Sequence, residues 1–274
     1  MIEDASLSPS GTARRWLKGD FSPDELRTHL VLLSVIFWGL IFACRLFYPP
    51  QNRFSIMTHT FSFMGSFDPR HNPPAWFLLT IAMIFQGTAF IPIMLYLHRR
   101  FAAASPWAVW PGTLLFIGGC AGMFLVGVFP EAHGRIIGKI EWTHVHQKVA
   151  AMAFIGFGLG IPWYGLLVLK DWFRWMPFGG RRFLDGKRLA LPYALYLSVF
   201  STTLYFLLKW EFVYADMKAA AKAAGRTIGS HWSEALNTRY SFPLWENIMI
   251  YTLFAFMVWL ASAVPAHIGK RADA

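Results

Sequence analysis

The sequence predicts an all-α fold, a polytopic membrane protein built as a six-transmembrane-helix bundle with a long outer loop between helices five and six. Three observations carry that prediction. The 274 residues are 55% hydrophobic and only 15% charged, whereas about a quarter of the residues in a soluble domain are charged. The apolar residues fall in blocks of about 20, the helix length that crosses roughly 30 Å of hydrocarbon. The Lys and Arg side chains lie between those blocks and form no basic stripe. The net charge of +10 therefore calls for anionic lipid head groups, not nucleic acid, as counter-charge.

The chain divides into an N-terminal segment (1–27), a six-helix transmembrane domain (28–266) and a short tail (267–274). The spans fall at about Thr28–Tyr48, Ala75–Leu97, Trp107–Phe129, Gln147–Leu169, Ala190–Trp210 and Trp245–Ala266. Ser22-Pro23-Asp24-Glu25 supplies a hydroxyl cap, a first-turn Pro and a capping-box Glu, so the first helix should begin before the membrane. Asn72-Pro73 and Ser105-Pro106 repeat the device. Residues 1–27 mix acids and bases without an apolar core, so no cleaved leader is expected. Placing both termini in the cytoplasm of an integral cell-membrane protein puts fourteen Lys and Arg inside and eight outside. Arg181, Arg182, Lys187 and Arg188 weigh most in that bias.

Gly118-x-x-x-Gly122 and Gly156-x-x-x-Gly160 mark spans three and four for close backbone approach, within the bundle in preference to a dimer face. Cys44 and Cys120 sit at different depths, which disfavours a bond between them. Gln86 is the main strongly polar side chain inside a span, and a packed, hydrogen-bonded role is favoured over substrate contact. No histidine lies at mid-span, which argues against a b-type haem and against a proton relay across the bilayer. Span five should run on to about Gly225, where Gly can end a helix.

Polar chemistry collects in the outer connections. In the first, residues 54–66 read as a helix put Phe54, Met57, Phe61 and Met64 on one stripe and Ser55, His59, Ser62 and Ser66 on another. The bland reading is a solvated stripe on an interfacial helix; the sharper one makes Ser62 a nucleophile with His59 as its base. The third connection gathers Glu131, His133, Glu141, His144 and His146. A divalent metal is the cofactor such donors would hold, on His133, His144, His146 and Glu141, although His-x-His can share an ion only where the chain is not helical. Capped helix ends and hydrogen-bonded loop histidines are the plainer account. The fifth connection, about residues 211–244, is aromatic-rich and long enough to fold over the outer face or to dock a protein partner.

Ser62-Phe63-Met64-Gly65, Asn72-Pro73-Pro74, Gly127-Val128-Phe129-Pro130 and His146-x-x-x-Ala150 together resemble the six-span prokaryotic family described as domain of unknown function 998. They are distantly similar to Frag1/DRAM/Sfk1-like membrane proteins. The resemblance covers about residues 28–170, and the last two spans by topology only. It implies a six-helix fold with motifs on the outer side and marks Ser62, Gly65, Gly127, Pro130 and His146, but it implies no reaction. The long loop containing His231 departs from the compact pattern of that family.

Three functions compete on these grounds. The first is a protein that binds membrane lipids or a protein partner at its outer interface. The second is an intramembrane hydrolase or transferase of lipid head groups, with catalytic candidates Ser62, His59, Glu131 and His146. The third is a transporter, weakened by the scarcity of mid-span polar groups. Convergence or dispersal of His59, Ser62, Glu131, His133, His144, His146, Glu211 and Glu246 discriminates between the first two.

Overall fold

The computed structural model describes residues 14–67, 71, 74–102, 105–132, 136–137, 140–173, 186–226 and 238–268. Six helices carry the architecture: α1 (Pro23–Leu46), α2 (Trp76–Ala102), α3 (Val109–Val128), α4 (Trp142–Phe173), α5 (Gly186–Ala223) and α6 (Phe242–Ile268). Each contains a segment long and apolar enough to cross a membrane. Val31, Val35, Phe42, Leu114, Leu159, Leu195 and Phe212 stand exposed on the bundle's outside. Apolar surface on that scale belongs in lipid, not in water, so the chain is a multi-pass membrane protein. A two-residue antiparallel pair, β1 (Ile136–Ile137) with β2 (Ile140–Glu141), is the only strand structure among the described residues.

Local chemistry places the helix ends. The capping box at α1 forms as the sequence predicts: the Glu25 N–H donates to Ser22 Oγ at 3.3 Å, and the Ser22 N–H donates to Glu25 Oε2 at 2.7 Å. Glu25 also accepts from Arg15 at 2.9 Å, which ties the N-terminal segment to α1. Ser105 behaves otherwise. It makes no side-chain cap for α3, which begins at Val109, and its hydroxyl instead accepts from Lys170 Nζ at 2.8 Å. At the far end of α5, Gly225 adopts φ +66°. Arg226 N–H donates to Ala221 O, and Gly225 N–H to Lys222 O, a Schellman closure that stops the helix where glycine was expected to.

The helices pack through small residues. A Cβ on Gly156 would collide with the backbone of Gly119, and one on Gly122 would lie 2.5 Å from Ala153 N. The small-residue stripes thus serve contact between α3 and α4 within the bundle. Gly118, the first residue of its motif, has nothing within 4 Å, and its neighbour Gly119 makes the contact instead. Cys44 and Cys120 are both buried and unbonded. The core runs along the bundle axis through Phe37, Phe90, Phe116, Tyr164 and Leu260.

The segment between α1 and α2 is not one amphipathic helix. A turn closes on Ser55–His59, and a short 3₁₀ helix occupies Phe61–Gly65. The segment is pulled inward instead of lying along an interface, because Phe61, Met64 and Gly65 are buried against the bundle.

Candidate functional site

Connections one, three and five share one end of the bundle, here termed the loop end. Below it, α1, α2, α3, α4 and α6 line a partly open cleft. Phe37, Met83, Phe90, Phe154, Phe157, Leu253, Phe254 and Met257 make most of its surface, while Ser62, Gln86, His146 and Glu246 are its polar members. A smaller recess adjoins it and shares Ser62, Leu79, Met83, Val126 and His146; Thr80, Gly127, Pro130 and Glu131 complete its walls. Few polar groups converging on an apolar chamber is the usual form of a small-molecule site.

Backbone contacts set each polar group. Ser62 sits on the 3₁₀ turn, and its hydroxyl donates to Glu131 Oε2 at 3.1 Å. That spends its single proton, so Thr60 Oγ1, 3.0 Å away, donates to Ser62 Oγ. Glu131 is buried, and its backbone carbonyl accepts the Phe67 N–H at 2.9 Å, joining the first connection to the third. His146, one turn into α4, is buried with Nδ1 2.7 Å from Phe129 O. A carbonyl only accepts, so Nδ1–H is the donor and Nε2 is the ring nitrogen that this bond does not use. Trp142 Nε1–H donates to Pro130 O at 2.6 Å and holds the same turn.

Glu246 enters from the first turn of α6. It is enclosed by protein, and the surface it keeps faces the cleft. Its Oε2 accepts the Phe61 N–H at 3.1 Å, and it lies near enough to Glu131 for the two charges to interact. Gln86, on α2, is 1% exposed, and its Oε1 has no hydrogen-bond partner. It is packed, as the sequence suggests, but its amide oxygen lacks the hydrogen bond that reading supposes. An unsatisfied buried acceptor on a cavity wall costs about 1–3 kcal/mol.

The structure sorts the sequence-predicted residues into groups. Ser62, Glu131 and His146 come together at the junction of the two cavities. His59 does not join them, because both its ring nitrogens are engaged within the first connection. Nδ1 accepts from Ser55 N–H at 3.3 Å and contacts Thr58 Oγ1 at 2.7 Å, while Nε2–H donates to Asn52 Oδ1 at 3.1 Å. Burial holds the His59 imidazole below its ordinary value of 6.5, towards the neutral form. Its backbone carbonyl accepts from Asn247 Nδ2 at 3.0 Å, so the residue latches the loop to α6.

Of the proposed metal donors, His144 is exposed and His146 buried. Two residues apart on a helix, they point about 200° from each other and cannot share an ion. His133 and the side chain of Glu141 lie outside the described residues, as do the side chain of Glu211 and residues 227–237 with His231. Among the described residues no three of His, Cys, Asp or Glu converge as a ligand set.

Sequence reasoning named Glu246 without giving it a role and treated Gln86 as core. A signal for Glu246 existed: it is the only charged residue between Trp245 and Ala266, and an ionisable group inside a span marks a site. Four of the five residues marked by the family resemblance, Ser62, Gly127, Pro130 and His146, wall the smaller cavity. The fifth, Gly65, packs against Leu79 of the same wall. Comparisons with protein-family models, curated proteins and solved structures give no match.

Proposed function

We propose that this protein binds a membrane amphiphile in the cleft, with the apolar chain among the phenylalanines and methionines and the head group at the polar, loop end. The carrying observation is the chamber's asymmetry: an apolar length inside the bundle ends at Ser62, His146 and Glu246. In the orientation favoured by the basic residues, the head group meets the outer leaflet. The test is lipid retention. Protein purified in mild detergent should carry lipid extractable by organic solvent. Ala150→Trp, which fills the cleft from α4, should lose that lipid while keeping the wild-type helical signal. Equal lipid recovery from both would end this reading.

A second reading rests on one further contact. The Ser62 hydroxyl donates to a buried carboxylate, and the oriented imidazole of His146 lines the same cavities. We propose that this group acts on the head group of the bound amphiphile, with Glu131 drawing the proton from Ser62 or from a water. Head-group release from vesicles should then vanish in Ser62→Ala and in Glu131→Gln, while lipid retention persists. Release that survives both substitutions would leave the cleft a binding site alone.

A further inference from the structure

Acceptors predominate among the polar groups of the cleft. Glu246 spends one oxygen on the Phe61 N–H, and in its ionised form, which a bound cation would favour, its remaining capacity is that of an acceptor. Gln86 Oε1 is an acceptor without a partner, 99% withdrawn from solvent by the exposure of its residue and set in the cleft wall. His146 donates its Nδ1–H to Phe129 O, and Nε2, the nitrogen that bond does not use, accepts when unprotonated. Ser62 donates its O–H to Glu131 and offers a lone pair. No Lys or Arg is among the described residues that line the chamber.

An anionic head group placed there would meet a carboxylate without a compensating cation, inside a low-dielectric wall where like charges are costly. A carboxylate in such a place favours a cation that can donate hydrogen bonds. An ammonium supplies the charge and three N–H donors, and it has no acceptor capacity to leave unsatisfied.

Building on the reading of the cleft as an amphiphile site, we propose that its ligand is a long-chain amine, the protonated primary amino group bound to Glu246 with Gln86 and His146 as further acceptors. The alkyl chain lies along Phe90, Phe157, Phe254 and Met257, away from the loop end. The preference arises at Glu246, because an alcohol of the same chain keeps the apolar contacts but brings no charge.

The experiment uses the full chain in phosphatidylcholine nanodiscs, with empty discs subtracting partition into lipid. The probes are radiolabelled hexadecylamine, its N-acetyl derivative, hexadecanol and hexadecyl phosphate. The amine should bind saturably and at least about tenfold more tightly than the N-acetyl compound and the alcohol, as a charged hydrogen bond requires. The phosphate should bind most weakly. In Glu246→Gln the amine should lose at least about tenfold, and its advantage over the alcohol should disappear.

Equal binding of amine and N-acetyl compound, tighter binding of the phosphate, or an amine affinity untouched by Glu246→Gln would each overturn the amine assignment, while saturable binding of any chain keeps the cleft as an amphiphile site. Absence of saturable binding by every probe would remove both. If Glu246→Gln does not fold, the wild-type comparison of amine with N-acetyl compound decides alone.

Discussion

His59 and Ser62 stand three residues apart and do different work. His59 stabilises the loop as a neutral ring, since its Nδ1 accepts a backbone N–H and its Nε2–H goes to Asn52. Its lowered pKa has a definite sign in stability. Above 6.5 both folded and unfolded chains carry it neutral, and its contribution is complete. As the pH falls below 6.5 the unfolded chain binds the proton first, so stability is lost as the pH passes down through the folded-state value. Thermal midpoints measured between pH 7.5 and pH 5 should therefore fall more steeply for wild type than for His59→Gln; parallel curves would show that His59 contributes nothing to the pH dependence. Ser62 carries no such dependence. Its position is set by Glu131, 69 residues away, and no local pattern in the sequence announces that partner.

At the scale of elements, α3 and α4 show how spacing motifs inform and where they stop. The two Gly-x-x-x-Gly stripes announced close approach, and Gly122, Gly156 and Gly160 all meet the facing helix. Gly118 does not, because the contact line runs through Gly119, and a four-residue pattern cannot say which of two adjacent glycines lies on it. The two positions should respond in opposite ways. Gly156→Ala forces backbones apart and should cost about 1–3 kcal/mol of stability, as overpacking does. Gly118→Ala meets open space and should be neutral or stabilising by up to about 1 kcal/mol, the helix-propensity difference. Thermal unfolding in one detergent, side by side, reads both; a loss of equal size at each would refute the assignment of the contact line. The first connection is the opposite case. Its alternation of apolar and polar residues fitted a surface helix, yet burial of Phe61, Met64 and Gly65 against the bundle overrode the local pattern.

At the scale of the whole molecule, the six spans were legible because length and hydropathy alone fix them, and the helix starts were legible where a capping box stood in sequence. The cleft was not, because its walls come from five helices and its polar end joins residues as far apart as Phe61 and Glu246. Orientation is read from charge and has a direct test. Arg53 lies exposed at the loop end and Lys18 exposed in the N-terminal segment. In intact cells, a cysteine replacing Arg53 should react with a membrane-impermeant maleimide, whereas one replacing Lys18 should react only after permeabilisation. The reverse pattern would invert the molecule. Both native cysteines are buried, so background labelling should be low.

The ties of the first connection have a consequence in time. Residues 57–67 are held by Ser241 at Met57 O, by Asn247 at His59 O, by Glu246 at Phe61 N–H and by Glu131 O at Phe67 N–H. These partners belong to two different parts of the chain, so the segment lifts only if bonds to both break together, each worth about 1 kcal/mol net. On the proposed reading of the cleft as an amphiphile site, a ligand entering past the loop end would wait for that event, and its exchange would be slow even at modest affinity. Asn247→Ala should quicken both association and release while leaving their ratio nearly unchanged, as stopped-flow displacement would read. On that reading the loop would set the rate of exchange, and Glu246, which both ties Phe61 and faces the ligand, would link that rate to affinity.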